Sequence, residues 1–280
     1  MCRAYTKGAP CLLLLLIIIL CLLSACNKKE TTNTSQTARE IVCWGDSMTE
    51  GFGASEAEIM TGEGHFDASY LSYPEVLEQL TGITTYNFGV PGASSEEIAI
   101  MQGGIAPTDD LSSYEVIDYD FMEQAQSHKG DILVLEIGSN GGWDGDYATL
   151  ISQYRAMIDH AGCDKYIIIG DTDDPGNSAD DVVAEAALEH EEEAIGTSDT
   201  SWDTALRDEF GEHFINMRAF LIEDGLRITG LTPTEADEEA AEHDAISVQL
   251  RSDWTHFNSY GYYAQAVGVY QKGLQLSYWN

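Results

Sequence analysis

Ser47, Asp253 and His256 are residues of the types that acyl transfer needs. A serine hydroxyl is a poor nucleophile at its own pKa. It needs a neutral imidazole to take its proton, and the imidazole needs an acceptor that fixes its tautomer. Ser47 closes the apolar run Ile41-Val42-Cys43-Trp44-Gly45-Asp46, and Thr49, Gly51, Gly53, Ala54 and Ser55 follow. A buried strand stopping at Gly-Asp presents the serine at its C-terminal edge, where open α/β sheets hold their ligands. Asp253-Trp254-Thr255-His256 lets one turn bring a carboxylate to the ring. Each pattern alone also fits plain structure: a capping serine after a tight turn, or an N-cap Asp with a surface His.

Acyl transfer also needs donors for the oxyanion. Asn87-Phe88-Gly89-Val90-Pro91-Gly92 follows the apolar run Ile83–Tyr86, and Ile137-Gly138-Ser139-Asn140 follows Asp131–Glu136. Glycine lets a backbone N–H approach a ligand closely. With the N–H of Ser47, the N–H of Gly89 and the side chain of Asn140 could form the hole. Ordinary strand-to-helix turns for Gly89 and Gly92, and an Asx turn for Asn140, are the alternatives.

Taken in order, these blocks resemble the SGNH hydrolases, also called GDSL-type esterases and lipases, over about residues 40–270. Gly45-Asp46-Ser47 matches the serine block, Gly89 the glycine block, Asn140 the asparagine of Gly-x-Asn, and Asp253-x-x-His256 the last block. One departure is that Gly141 stands where the family usually has Asp after the block Asn. The resemblance implies an α/β fold: a single-domain three-layer α/β/α sandwich with a flavodoxin-like parallel five-stranded sheet. It implies a serine ester hydrolase working through an acyl-enzyme, with no metal or organic cofactor. Short acyl groups, acetyl above all, on a carbohydrate or cell-wall glycan are the expected substrate. Lipase, lysophospholipase or acyltransferase action on the same scaffold, and a glycan-binding lipoprotein without turnover, are the competing readings.

The N-terminus reads as a targeting segment. Arg3 and Lys7 precede the apolar run Leu12–Leu23, and Leu23-Ser24-Ala25-Cys26 closes it. The run is short of the about 20 residues a bilayer span needs, and its small-residue end suits signal cleavage. Leu-Ser-Ala-Cys resembles the bacterial lipobox, which implies lipidation of Cys26 after removal of residues 1–25; an uncleaved membrane anchor is the alternative. Residues 26–39 then form the lipidated Cys and a polar tether of at most about 45 Å. The domain, residues 40–280, is expected outside the cytoplasm.

The net charge of −35 disfavours nucleic acid and other polyanions as partners. Much of the acid falls in residues 180–199 and 235–244, read as solvated helix faces and loops. Cys43 and Cys163 are expected as buried free thiols. The acidic stretch Asp171–Asn177 fails the EF-hand pattern, with Pro175 fifth and Val182 where Glu is needed.

Strands alternating with helical patterns predict a parallel sheet covered on both faces. Strands are expected at 40–44, 83–88, 131–137, 165–170 and 213–216. Helices are expected at 73–81, 95–102, 147–161, 201–210 and 259–276, with another in the Ala- and Glu-rich 180–193. Residues 105–120 read as a hairpin or lid. His65 is a surface residue or a pocket liner. Trp143 and Trp254 are packing groups or platforms for a sugar ring.

Overall fold

The computed structural model describes residues 39–61, 64–107, 114, 116–172, 199–243 and 245–279. The targeting segment with Cys26, the tether up to residue 38, residues 173–177 of the acidic stretch and the helix expected at 180–193 lie outside the described residues.

The described chain runs β1 (Glu40–Gly45), α1 (Ser47–Glu50), β2 (Glu58–Thr61), β3 (Gly64–Asp67), α2 (Tyr73–Thr81), β4 (Thr84–Gly89), α3 (Ser95–Gln102), α4 (Tyr119–Ala125), β5 (Ile132–Glu136), α5 (Tyr147–Ala161), β6 (Tyr166–Ile169), α6 (Ser201–Phe210), β7 (Phe214–Ile215), α7 (Met217–Thr229), α8 (Glu235–Glu242) and α9 (Ser259–Gln275). Among these, five strands form one parallel sheet in the order β4-β1-β5-β6-β7. This is the doubly wound order in which the chain reverses direction beside β1, and ligand sites open at such a switch point.

β1 is central and buried on both faces, so its apolar residues run without a break. Their alternation assigns each to a layer. Ile41 and Cys43 join Ile132, Val134, Ile167 and Ile169 against α2, α7 and α9. Val42 and Trp44 join Leu133, Leu135 and Ile168 against α3, α5 and α6. The result is the expected three-layer sandwich.

Helix boundaries follow local chemistry. Ser72 with Glu75, and Ser94 with Glu97, make reciprocal capping boxes at the starts of α2 and α3. Asn258 caps α9, accepting from Tyr260 N–H at 2.9 Å and Gly261 N–H at 3.2 Å. Elements absent from the sequence reading are the hairpin β2–β3, α1, α4 and α7. The described part of 105–120 contains no strand, and residues from Tyr119 start α4. The antiparallel hairpin lies earlier, at Glu58–Asp67.

Candidate active site

β1 delivers Gly45 and Asp46 to the sheet edge, and α1 turns immediately. Gly45 is obligatory here: a Cβ on it would meet Thr49 Oγ1 at 2.0 Å and the Glu136 carbonyl at 2.6 Å. The buried Asp46 side chain caps α1 by accepting from Met48 N–H at 2.9 Å. Ser47 is therefore the first residue of the turn. Its N–H has no hydrogen-bond partner among the described residues.

The base arrives from the other end of the chain. His256 Nε2 lies 2.9 Å from Ser47 Oγ. Its Nδ1 lies 2.9 Å from Asp253 Oδ2 and 3.1 Å from Oδ1. Asp253 also accepts from the backbone N–H groups of His256 at 2.7 Å and Thr255 at 2.9 Å. The Asx-type turn and the carboxylate–imidazole pair are thus one arrangement. Burial works to raise the Asp253 carboxyl, but these bonds and the facing imidazole outweigh it and hold it below its ordinary value.

The loop itself is tied down. Arg251 and Phe257 bridge its two ends, and Ser252 N–H returns to the His256 carbonyl at 2.9 Å. Arg251 Nη1 donates to the carbonyls of Trp254 and Thr255, and Nη2 reaches Thr172 O at 2.9 Å. Tyr262 Oη donates to Phe52 O at 2.6 Å, and Ser55 N–H donates to Ser259 Oγ at 3.0 Å. These bonds clamp the segment after α1 onto α9, and so join the serine turn to the histidine loop. Gly53, at φ +87°, stands where a Cβ would meet Ser252 Oγ at 2.1 Å.

Asn140 reaches the site after β5. Its Nδ2 donates to Asp46 Oδ2 at 3.1 Å and Ala93 O at 3.3 Å. Gly141, at φ +77°, keeps this loop in place through its backbone: its carbonyl accepts from Ser95 N–H at 3.0 Å and Ser95 Oγ at 2.9 Å. The departure from Asp therefore leaves the Asn140 loop anchored to α3.

Gly89 departs from expectation. Its N–H is already donated to Asn87 Oδ1 at 2.9 Å, and a Cβ on it would strike Glu50 N at 2.1 Å. Its role is close packing of β4 against α1. Asn87 Nδ2 completes this contact, donating to Ser72 Oγ at 3.1 Å and Glu50 O at 3.3 Å. Gly92 has the features sought in Gly89: it is exposed, at φ +77°, with open space around it and no hydrogen bond to its N–H among the described residues. It is next to Ala93, the acceptor of the Asn140 bond.

Other candidates separate clearly. Trp143 is core: 8% exposed, edge-on to Trp202, with its indole N–H on Gly138 O at 2.9 Å. Trp254 is half-buried, without a ring partner among the described residues. It lines a pocket of about 290 Å³ with Ala240, Ala245, Val248, Arg251 and Asp253. His65 pairs with Glu58 across the β2–β3 hairpin. Cys43 and Cys163 are free thiols; burial pushes both upward and leaves them protonated. Among the described residues no cluster of His, Cys, Asp and Glu could hold a metal, and no helix is long and apolar enough to cross a membrane.

Residues missed in the sequence are Phe52, Thr49, Glu136 and Gln265. The Phe52 ring packs on His256. Thr49 Oγ1 lies 3.4 Å from Glu136 Oε2 and 3.4 Å from Tyr73 Oη, and Gln265 Nε2 donates to both Glu136 oxygens. Glu136 ends the apolar strand β5, and a polar residue at that place was the available signal.

A family model described as GDSL-like Lipase/Acylhydrolase family matches residues 43–264. Similar solved structures include a member of the lipolytic protein G-D-S-L family from Veillonella parvula. It is 19% identical over 85% of this chain and 98% of that one, with a TM-score of 0.46. The native aryl esterase of M. smegmatis is 12% identical over 86% and 99%, TM-score 0.44. A family two carbohydrate esterase from Clostridium thermocellum, in complex with cellohexaose, is 12% identical over 86% and 65%, TM-score 0.43. No curated protein matches the chain.

Proposed function

This chain belongs to the GDSL-like lipase/acylhydrolase family and is an ester hydrolase, and from that premise we propose that Ser47, His256 and Asp253 are its catalytic residues. The observation that carries the reading is the 2.9 Å separation of His256 Nε2 and Ser47 Oγ, with Asp253 on the opposite ring nitrogen. His256 takes the Ser47 proton as Oγ attacks the ester carbonyl. Asp253 fixes the tautomer and stabilises the imidazolium. His256 then protonates the leaving alcohol, and water releases the acid from the acyl-enzyme.

The oxyanion is held by the N–H of Ser47, the N–H of Gly92 and the side chain of Asn140. Gly92 replaces Gly89 in this role because its N–H is uncommitted. The Asn140 bond to Ala93, the longer of its pair, is the one the oxyanion displaces.

The substrate we propose is a short acyl ester, acetyl above all, on a carbohydrate or envelope glycan. Support comes from Trp254, whose half-buried ring lines a pocket with Asp253 and suits the apolar face of a pyranose. We also propose export and lipidation at Cys26, on the pattern Leu23-Ser24-Ala25-Cys26 after an apolar run. Loss of labelled fatty acid from Cys26→Ala checks the anchor; retention of label removes it.

The test of activity is hydrolysis of p-nitrophenyl esters from acetyl to palmitoyl by detergent-solubilised full chain and Ser47→Ala. Turnover that peaks at acetyl and vanishes with Ser47 is expected. A peak at long chains moves the reading to a lipase, and undiminished turnover by the variant removes Ser47 from the mechanism.

A further inference from the structure

A carboxylic acid lies beneath the nucleophile and takes no part in the chemistry above. Glu136 is 6% exposed, at the C-terminal end of β5. Gln265 Nε2, from α9, donates to its Oε1 at 2.9 Å and its Oε2 at 3.0 Å. On the other side Thr49 Oγ1 lies 3.4 Å from Oε2 and touches Tyr73 Oη at the same distance. The Cys43 thiol is a further electrostatic neighbour of Tyr73. Thr49 belongs to the same turn as Ser47. The chain Gln265–Glu136–Thr49–Tyr73 therefore links α9, the central sheet, the serine turn and α2.

We propose that Glu136 is a positioning residue for the nucleophile: through Thr49 and Gln265 it fastens the Ser47 turn to β5 and α9. This rests on the assignment of Ser47 above.

What surrounds the carboxyl favours its neutral form. Asp46, Asp171, Cys43, Tyr73, Tyr154 and Tyr262 face it electrostatically, and none is a cation. Burial pushes its carboxyl well up, and Asp46 pushes it further; the Gln265 and Thr49 bonds oppose this without reversing it. Of two neighbouring carboxyls, one keeps the proton. Asp46 accepts N–H bonds from Met48 and Asn140. Thr49 Oγ1 donates to Glu136 Oε2, and burial favours the neutral form of this carboxyl. A second anion there would repel the oxyanion that forms at Ser47. With the folded pKa raised, the acid form and its stabilisation are lost as pH rises.

The experiment measures kcat and KM for p-nitrophenyl acetate against pH, with the full chain in detergent. Glu136→Ala is expected to lower kcat about tenfold or more with KM little changed, the mark of a misplaced nucleophile. Glu136→Gln, neutral at every pH, is expected to recover most of that loss. It should also hold its rate on the alkaline side, where the wild type declines. Thr49→Val should lower kcat like Glu136→Ala. Wild-type kcat in a folded Glu136→Ala protein overturns the proposal, and so does an alkaline decline identical in wild type and Glu136→Gln. If Glu136→Ala does not fold, the Gln and Val variants decide. Ser47→Ala is run alongside: Ser47-independent turnover sinks the nucleophile assignment, whereas Ser47-dependent turnover indifferent to Glu136 sinks only this proposal.

Discussion

The Phe52 ring lies 4.6 Å, centroid to centroid, from the imidazole of His256 and is tilted 51° to it. About half of Phe52 faces solvent. An exposed phenyl group against a base has two effects. It limits rotation of the imidazole, and it keeps water off the Ser47–His256 bond. An aromatic contact of this kind contributes about 0.5–1.5 kcal/mol beyond its buried area. Phe52→Ala is therefore expected to lower kcat/KM about three- to tenfold on p-nitrophenyl acetate. Unchanged kcat/KM would make the ring a bystander.

Asp253→Asn removes the anion from Nδ1 but keeps the side chain's size. By analogy with serine triads in general, kcat should fall by about 10³–10⁴-fold. Because the folded carboxyl is held below its ordinary value, its stabilisation is present above the unfolded pKa and is lost as pH falls through the folded one. The variant and the wild type should therefore differ less in thermal stability at strongly acid pH than at neutral pH. A fall in kcat of only a few-fold would show that another group orients His256.

Asn140→Ala and Gly89→Ala should fail differently. The first removes a proposed oxyanion donor, expected to cost about 10²–10³ in kcat with the fold retained. The second drives a Cβ into Glu50 N, so it should lower the melting temperature as well as the rate. A stable Gly89→Ala protein with full activity would contradict the tight β4–α1 contact.

Asp237 offers a test away from the site. It accepts from Thr234 N–H at 2.7 Å and Gln249 N–H at 3.2 Å and is bonded by Ser247 Oγ, tying α8 to the loop before the histidine. Burial alone would raise its carboxyl; the bonds to Ser247 and Thr234 overcome this and depress it. Stability from this group is present above the unfolded pKa and disappears as pH falls. Asp237→Asn should be clearly less stable than wild type at pH 7, and the gap should close in strong acid, as measured by thermal unfolding. A gap independent of pH would mean that the Asp237 charge contributes nothing.

The centre of the sheet was legible because buried parallel strands are written as apolar runs, as in β1, β5 and β6. Pro74 in the first turn of α2 and Ser94 with Glu97 at the start of α3 are the local marks of two helix starts. α7 was hidden by Gly225 in its middle, a residue that lowers helix propensity; in the structure that glycine makes room for Leu250, whose Cδ1 would lie 2.5 Å from a Cβ. The hairpin at Glu58–Asp67 was too short to give a period. In the site, the serine, asparagine and Asp-x-x-His blocks could be read from residue type and order. Which glycine N–H was free could not be, because the deciding group is the Asn87 side chain. Glu136 stood out only as a polar residue ending an apolar strand; its partners from α1 and α9 could not be read.

The clamp between Phe52 and Tyr262 has a temporal consequence. β1 and the serine turn are made early in synthesis, and the sheet can assemble from strands that end at β7. The histidine loop and α9 come afterwards. Until α9 docks, Glu136 lacks Gln265, and the segment after α1 lacks its bonds to Tyr262 and Ser259. The Ser47–His256–Asp253 arrangement is therefore complete only once the late histidine loop reaches the early serine turn. A chain that ends before residue 256 lacks the imidazole that faces Ser47.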